Sequence, residues 1–304
     1  MKKTVQKDRD NAYPRIIVGE KAGCCFGVNR ALKIAEATRK ENISPVYTMG
    51  PLIHNPKVIS QLAAEGVIPL EGLDQAEPGG VIIIRSHGVG PQFIQAAEAK
   101  GLKVVDATCP FVKQEQKLAA GLSKDGYDVV VVGEENHAEV SAVVNSIPGK
   151  SLVVAPEDLS ILKNTKISSR VGVVCQTTQS QDSLNKVINT LLPLVKELKI
   201  YNTICSATAQ RQKEVYELAA KVQAILVIGG KNSANTRRLA EIGASLVPTY
   251  HIEDQKEIDP LWLKDFLTIG ITAGASTPQK QINDVVYWLE ENLQEESEWT
   301  KENN

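Results

Sequence analysis

Short apolar runs alternate with longer amphipathic stretches along this chain. RIIVGE (15–20), VIIIR (81–85), KVVDA (103–107), DVVVVG (128–133), RVGVVC (170–175), AILVIGG (224–230) and LTIGIT (267–272) are rich in Val and Ile. Continuous apolar runs of this length suit strands buried on both faces, as in a parallel sheet. Between them the pattern predicts helices over 26–40, 56–65, 91–100, 111–125, 138–146, 181–197, 206–222, 235–243 and 279–293. Strands alternating with helices predict α/β layering.

The spacing of rare residues sharpens this picture. Cys25, Cys109 and Cys205 each follow an apolar or β-prone run and precede a helical stretch, and they lie 84 and 96 residues apart. A polar loop follows each at nearly constant distance: His54 after 29 residues, His137 after 28 and Ser233 after 28. A second follows later, at His87 (62 residues), Thr178 (69) and Ser276 (71). We read three copies of one α/β unit. The division is an N-terminal extension 1–14, units at 15–109, 110–203 and 204–290, and a tail 291–304. In open α/β sheets, functional groups gather beyond the carboxyl ends of the strands. Each unit would then send one Cys and two polar loops to the same side, and three units facing inward would share one site. The plain alternative is duplication without convergence.

Composition narrows the class. Lys and Arg number 34 against 36 Asp and Glu, a balance that argues against a nucleic-acid partner. No apolar run reaches the roughly 18 residues of a membrane span. The start MKKTVQKDRDNAYPR lacks the apolar core of a secretory signal, so the expected setting is cytoplasmic. The five cysteines are odd in number and the expected setting is reducing, which argues against a disulfide framework, and the absence of a C-x-x-C pair leaves out the common zinc-ribbon spacings.

Three thiolates in one pocket need a partner. Zinc with three Cys and a fourth ligand is one solution, and an iron–sulfur cluster is the other. A helix start at each Cys favours thiolate. Taken singly, each Cys reads equally as a small buried hydrophobe. Cys24 and Cys175 fall outside the repeat: Cys24 reads as packing, and Cys175, just before Gln176-Thr177-Thr178, as core filling ahead of lining the site. Three of the four histidines, His54, His87 and His137, occupy the repeat's polar loops. Around them stand GPLIHNP, RSHGVGP, CQTTQS, GGKNSANT and TAGASTP, whose hydroxyls, amides and imidazoles suit a phosphate or diphosphate. Such residues also make ordinary turns and caps. Lys231 either adds charge there or sits on the surface. Glu139 is the carboxylate nearest these loops, suited to proton relay or to stabilising a helix start.

Taken in order, GCCFGVNRA, HNP, SHGVGP, DATCPFV, NHAEV, QTT, NTICSATAQRQ, KNSANT and TAGAS cover roughly residues 16–290. This series resembles the 4-hydroxy-3-methylbut-2-enyl diphosphate reductases, terminal enzymes of the methylerythritol phosphate route to isoprenoids. The resemblance implies a pseudo-threefold trefoil of three α/β domains around a [4Fe–4S] cluster held by Cys25, Cys109 and Cys205. It implies a two-electron reductive dehydroxylation of (E)-4-hydroxy-3-methylbut-2-enyl diphosphate, with the substrate hydroxyl on the open iron, giving isopentenyl and dimethylallyl diphosphates. Glu139 matches the proton-delivering glutamate, and Thr177 and Thr178 match a threonine pair of which Thr177 is nearer the hydroxyl. His54, His87, Ser233, Asn235 and Ser276 match diphosphate contacts. His137 matches a residue serving both diphosphate and proton handling. A ferredoxin- or flavodoxin-type protein is the implied electron donor.

The chain departs from that pattern at Cys24, where many relatives carry Phe, and at Ala234, where many carry Ser. The loss of one hydroxyl at 234 leaves its backbone N–H for the diphosphate. The first residues and the acidic tail QEESEWTKENN read as exposed or disordered ends. Two other readings compete: a quinolinate synthase-like dehydratase with a three-Cys cluster, against which the QTT, KNSANT and TAGAS loops argue, and a redox sensor, against which the absence of an output module argues.

Overall fold

The computed structural model describes the backbone of residues 14–302 and the side chains of 14–293. The expected exposed ends thus fall partly outside the described residues. The described strands, in chain order, are β1 (Arg15–Val18), β2 (Val46–Met49), β3 (Val67–Leu70), β4 (Val81–Ile84), β5 (Lys103–Asp106), β6 (Asp128–Val132), β7 (Ser151–Val154), β8 (Arg170–Cys175), β9 (Glu197–Ile200), β10 (Ala224–Ile228), β11 (Thr249–Ile252) and β12 (Thr268–Ala273). The helices are α1 (Phe26–Glu41), α2 (Pro56–Ala64), α3 (Pro91–Ala99), α4 (Pro110–Lys124), α5 (Ala138–Val144), α6 (Ser160–Asn164), α7 (Gln181–Leu191), α8 (Ser206–Ala219), α9 (Ala234–Ala244) and α10 (Gln279–Glu302).

The chain divides into two compact units, Cys25–Ala209 and the segments Met1–Cys24 with Gln210–Asn304. The first unit holds two parallel four-stranded sheets, ordered β3-β2-β4-β5 and β7-β6-β8-β9. The second holds one parallel sheet, ordered β1-β12-β10-β11. In every sheet the strand that comes first in its stretch of chain has the second and third as neighbours, and a fourth lies beyond the third. For β10, β11 and β12, that fourth strand is β1.

Residues 15–18, which the sequence reading puts with the first unit, therefore pair instead with β12, Ile16 opposite Ile269 and Ile17 opposite Gly270. The stretch 204–290 supplies three strands of its own, and the N-terminal strand completes its sheet. A period read along the chain cannot show a copy closed by residues from the far end.

The middle sheet shows why these residues form these elements. Along β6 and β8 the side chains alternate between two layers, as the strand period of two requires. Val130, Val132, Val171 and Val173 pack with Leu184, Val187 and Leu191 of α7. Val129, Val131 and Val174 pack with Ala119 and Leu122 of α4 and Val140 and Val143 of α5. Both faces are covered, so the strand sequence reads as an unbroken apolar run. Each such buried Val or Leu contributes roughly 1.5–3 kcal/mol. The predicted helix 181–197 is shorter than expected. Pro193 has no N–H to continue the ladder, so α7 stops at Leu191 and passes through a short 3-10 turn into β9.

Candidate active site

The six polar loops follow the first and third strands of their sheets. His54 follows β2, His87 follows β4, His137 follows β6, Thr178 follows β8, Ser233 follows β10 and Ser276 follows β12. The three cysteines follow the fourth strands: Cys25 comes after β1, Cys109 after β5 and Cys205 after β9.

The three thiols all lie in the Cys25–Ala209 unit, partly exposed and without a disulfide. Cys25 caps α1, and its Sγ accepts from the N–H of Val28 at 3.5 Å. Cys205 Sγ accepts from the N–H of Thr208 at 3.3 Å, with the Thr208 hydroxyl 3.1 Å away. The N–H groups of Phe111 and Val112 face Cys109. Gly27 makes room for it: a Cβ there would lie 2.7 Å from Cys109 Sγ. The thiol of Cys109 feels both Cys25 and Cys205. Burial pushes the thiols of Cys109 and Cys205 up, and the hydrogen bonds from Phe111, Val112 and Thr208 only partly oppose the shift. Bound metal supplies the positive charge that deprotonates such thiols. Among the described residues no three Cys, His, Asp or Glu side chains gather as ligands of a single metal ion. The donor set of three neighbouring thiols at helix starts fits a polynuclear cluster.

The rings of His54 and His87 lie 4.3 Å apart between centroids, His54 and His137 5.3 Å, and His87 and His137 5.6 Å. Burial holds the His87 imidazole well below its ordinary range, and His54, His137 and Arg85 reinforce this. His87 Nδ1 and Arg85 Nε are buried and find no hydrogen-bond partner among the described residues. Burial lowers Arg85 as well. Three imidazoles and a guanidinium make a place where an incoming anion is stabilised and raises the proton affinity of its hosts.

Glu139 is 2% exposed. Its Oε1 accepts from the N–H of Thr177 at 2.6 Å, and its Oε2 from the Thr177 hydroxyl at 3.0 Å. Its own N–H donates to His137 Nδ1 at 3.2 Å. Burial pushes the Glu139 carboxyl up, and the two Thr177 donors oppose the shift. The carbonyl of Thr177 accepts from the N–H of Cys205 at 3.1 Å. One residue thus joins the carboxyl to a thiol-bearing loop. Thr178 stands beside it, its hydroxyl accepting from Gln176 Nε2 at 3.0 Å.

The remaining expected site residues lie in the other unit. Ser233 caps α9, its Oγ accepting from the N–H of Thr236 at 3.3 Å. Ala234 and Asn235 open that helix, and Ser276 is buried after β12. Among the described residues neither polar side-chain atom of the buried Asn235 has a partner, as in a site built for a polar guest. Lys231 is on the surface, its Nζ paired with Glu257 at 2.5 Å. Cys175 is fully buried among the aliphatic side chains packed on β8.

Residues 16–290 match the family of LytB protein. The chain belongs to the LytB family. It is 47% identical over 275 residues to the 4-hydroxy-3-methylbut-2-enyl diphosphate reductase of Citrifermentans bemidjiense, covering 90% of this chain and 95% of that relative. To the enzyme of the same name from Aquifex aeolicus it is 45% identical over 280 residues, covering 91% and 96%. A solved structure of (E)-4-hydroxy-3-methyl-but-2-enyl diphosphate reductase, the terminal enzyme of the non-mevalonate pathway, is 45% identical with a TM-score of 0.70, covering 91% of this chain and 99% of that one. The Plasmodium falciparum E-1-hydroxy-2-methyl-but-2-enyl-4-diphosphate reductase is 28% identical with a TM-score of 0.86, covering 90% and 87%. The chain is accordingly a LytB-family oxidoreductase of isoprenoid synthesis, with three parallel sheets of α/β type. No helix among its described residues is long and apolar enough to cross a membrane.

Three residues beside the expected LytB site were not singled out from sequence: Gly27, Arg85 and Glu115. Gly27 and Arg85 stand inside quoted motifs, but only packing shows what they touch. Glu115 is 0% exposed, and its carboxyl interacts with that of Glu139. The helical period was the available signal, since Val112, Ala119 and Leu122 share its buried stripe on α4.

Proposed function

We propose that this chain reduces (E)-4-hydroxy-3-methylbut-2-enyl diphosphate to isopentenyl and dimethylallyl diphosphates. The observation that carries the reading is Thr177, bonded at once to the Glu139 carboxyl and to the Cys205 loop. This bonding supports a proton-donating role for the buried Glu139 beside the loop of one of the three thiols.

Cys25, Cys109 and Cys205 would hold a [4Fe–4S] cluster. When bound, such a cluster supplies electrons and an iron without a protein ligand that acts as a Lewis acid. Burial pushes the Glu139 carboxyl up, which favours its carrying the proton to be delivered, while the Thr177 donors oppose the shift. The Thr177 hydroxyl fixes the direction of that carboxyl and would take a substrate hydroxyl into the same hydrogen-bond chain. His54, His87 and His137 would take the diphosphate charge, and His87, held neutral by burial, would gain a proton as it arrives. Thr178, Ser233, the backbone at Ala234, Asn235 and Ser276 supply further donors. Electrons come one at a time from a small donor protein of ferredoxin or flavodoxin type. The setting is the cytoplasm, with no membrane or nucleic acid involved.

The test is anaerobic turnover with the allylic diphosphate, a chemical reductant and a viologen mediator. The reading requires both isoprenoid diphosphates. Failure to form either, with the metal complement verified in the same sample, would contradict it.

A further inference from the structure

Glu115 breaks the pattern of its own helix. Val112, Glu115, Ala119 and Leu122 form the buried stripe of α4, and the one acid stands among apolar neighbours. Among the described residues no amide, hydroxyl or cation reaches either of its oxygens, and the Glu139 carboxyl is the polar side chain that bears on it. An ionised carboxylate there is costly, so the group stays protonated. An apolar side chain would fill the position at less cost.

The surroundings say what the acid faces. α4 packs against α5, β6 and β8. Gln116, the next residue, donates from Nε2 to Ala142 O of α5 at 3.2 Å. From α5 the carboxyl of Glu139 acts on Glu115, and from β8 the thiol of Cys175 joins the cluster. The other charged groups of these elements that pair are engaged elsewhere: Asp128 with Lys150, Arg170 with Glu197 and Lys113 with Asp106. Two ionised carboxylates facing each other in a dry site repel, whereas one proton between them gives a hydrogen bond.

We propose that Glu115 and Glu139 form a buried carboxyl pair that stores the protons of the reaction, Glu115 passing its proton to Glu139 once Glu139 has delivered its own. The inference rests on the reductase reading. That reaction takes two electrons from the donor protein and two protons. One proton leaves with the hydroxyl as water when the C–O bond breaks, and the other forms the new C–H bond. Glu139 alone holds one proton, and the pair holds both. Burial pushes both carboxyls up, and each bears on the other: an ionised Glu139 raises Glu115, and the hydrogen bond with Glu115 lowers Glu139. Glu115 acts through Glu139 and does not meet the substrate.

Infrared spectroscopy and the pH profile test this together. The parent protein, without substrate, should show the carbonyl band of a protonated carboxylic acid persisting above neutral pH, and E115Q should lose intensity in it. Absence of that band in the parent overturns the proposal without need of a variant. In turnover, E115Q should lower kcat roughly tenfold to a hundredfold at alkaline pH, with KM and iron content unchanged. Its alkaline limb should move to lower pH, because the upper titration of the pair is gone, and E115D should restore part of it. An unmoved limb in a folded, iron-loaded E115Q would also overturn the proposal. If the parent itself forms no product, the reductase reading fails, while the infrared titration still decides whether the pair shares a proton.

Discussion

The sulfur of Cys109 reaches its place because residue 27 has no side chain. A methyl group at that position would lie well inside contact distance of the sulfur. Gly27→Ala should therefore lower the iron bound per chain while leaving the circular dichroism spectrum unchanged; a full iron complement would show that the close approach is dispensable. The histidines make a second claim at this scale. His87 is held neutral in the folded chain, below its ordinary range. A depressed imidazole costs stability as pH falls below the unfolded value of about 6.5. Adding inorganic diphosphate should oppose that loss and bring proton uptake, read by calorimetry in two buffers of different ionisation enthalpy. Binding without proton uptake would remove the imidazoles from the anion site. Cys25, Cys109, Cys205 and the three loop histidines were legible because scarce residue types recur at a common spacing. Gly27, Arg85 and Glu115 were not, because glycine, arginine and glutamate acquire meaning only from what packs against them.

Elements carry their own consequences. β1 is four residues long, yet it closes the sheet of β12, β10 and β11, with Ile16 and Ile17 packed against different core layers. Removing residues 1–18 should cost on the order of 3 kcal/mol, from the apolar burial lost, and lower the denaturant midpoint. An unchanged midpoint would mean that the sheet is stable with three strands. Thr203 has a similar part at the far end of β9. Its Oγ1 accepts from the N–H of Cys175 and donates to that residue's carbonyl, just before Cys205. Thr203→Val removes both bonds and should cost about 1–3 kcal/mol and loosen the Cys205 loop. The long apolar strands were evident from sequence. β2, β3, β7, β9 and β11 were not named, because strands of four residues such as VYTM, ELKI and TYHI lack a continuous apolar run, whether inside the sheet, as β2 is, or at its edge.

Over the whole molecule, one strand order recurs in three sheets, and each thiol follows a fourth strand. The repeat was readable in the spacing of cysteines and loops. Its closure by the N-terminal strand was not, because strand pairing between the two ends of a chain leaves no periodic trace. The end of β8 and the Thr177 turn place a carboxyl, a hydroxyl and the Cys205 loop in one hydrogen-bonded series. The central claim is that this series delivers protons to a reduced allylic diphosphate. Single-turnover reduction by Glu139→Gln, beside the parent chain and with iron content and substrate affinity measured on the same samples, tests it most directly. The account predicts equal iron, equal affinity and product formation slowed by roughly a hundredfold or more. Product formation at the parental rate would contradict it.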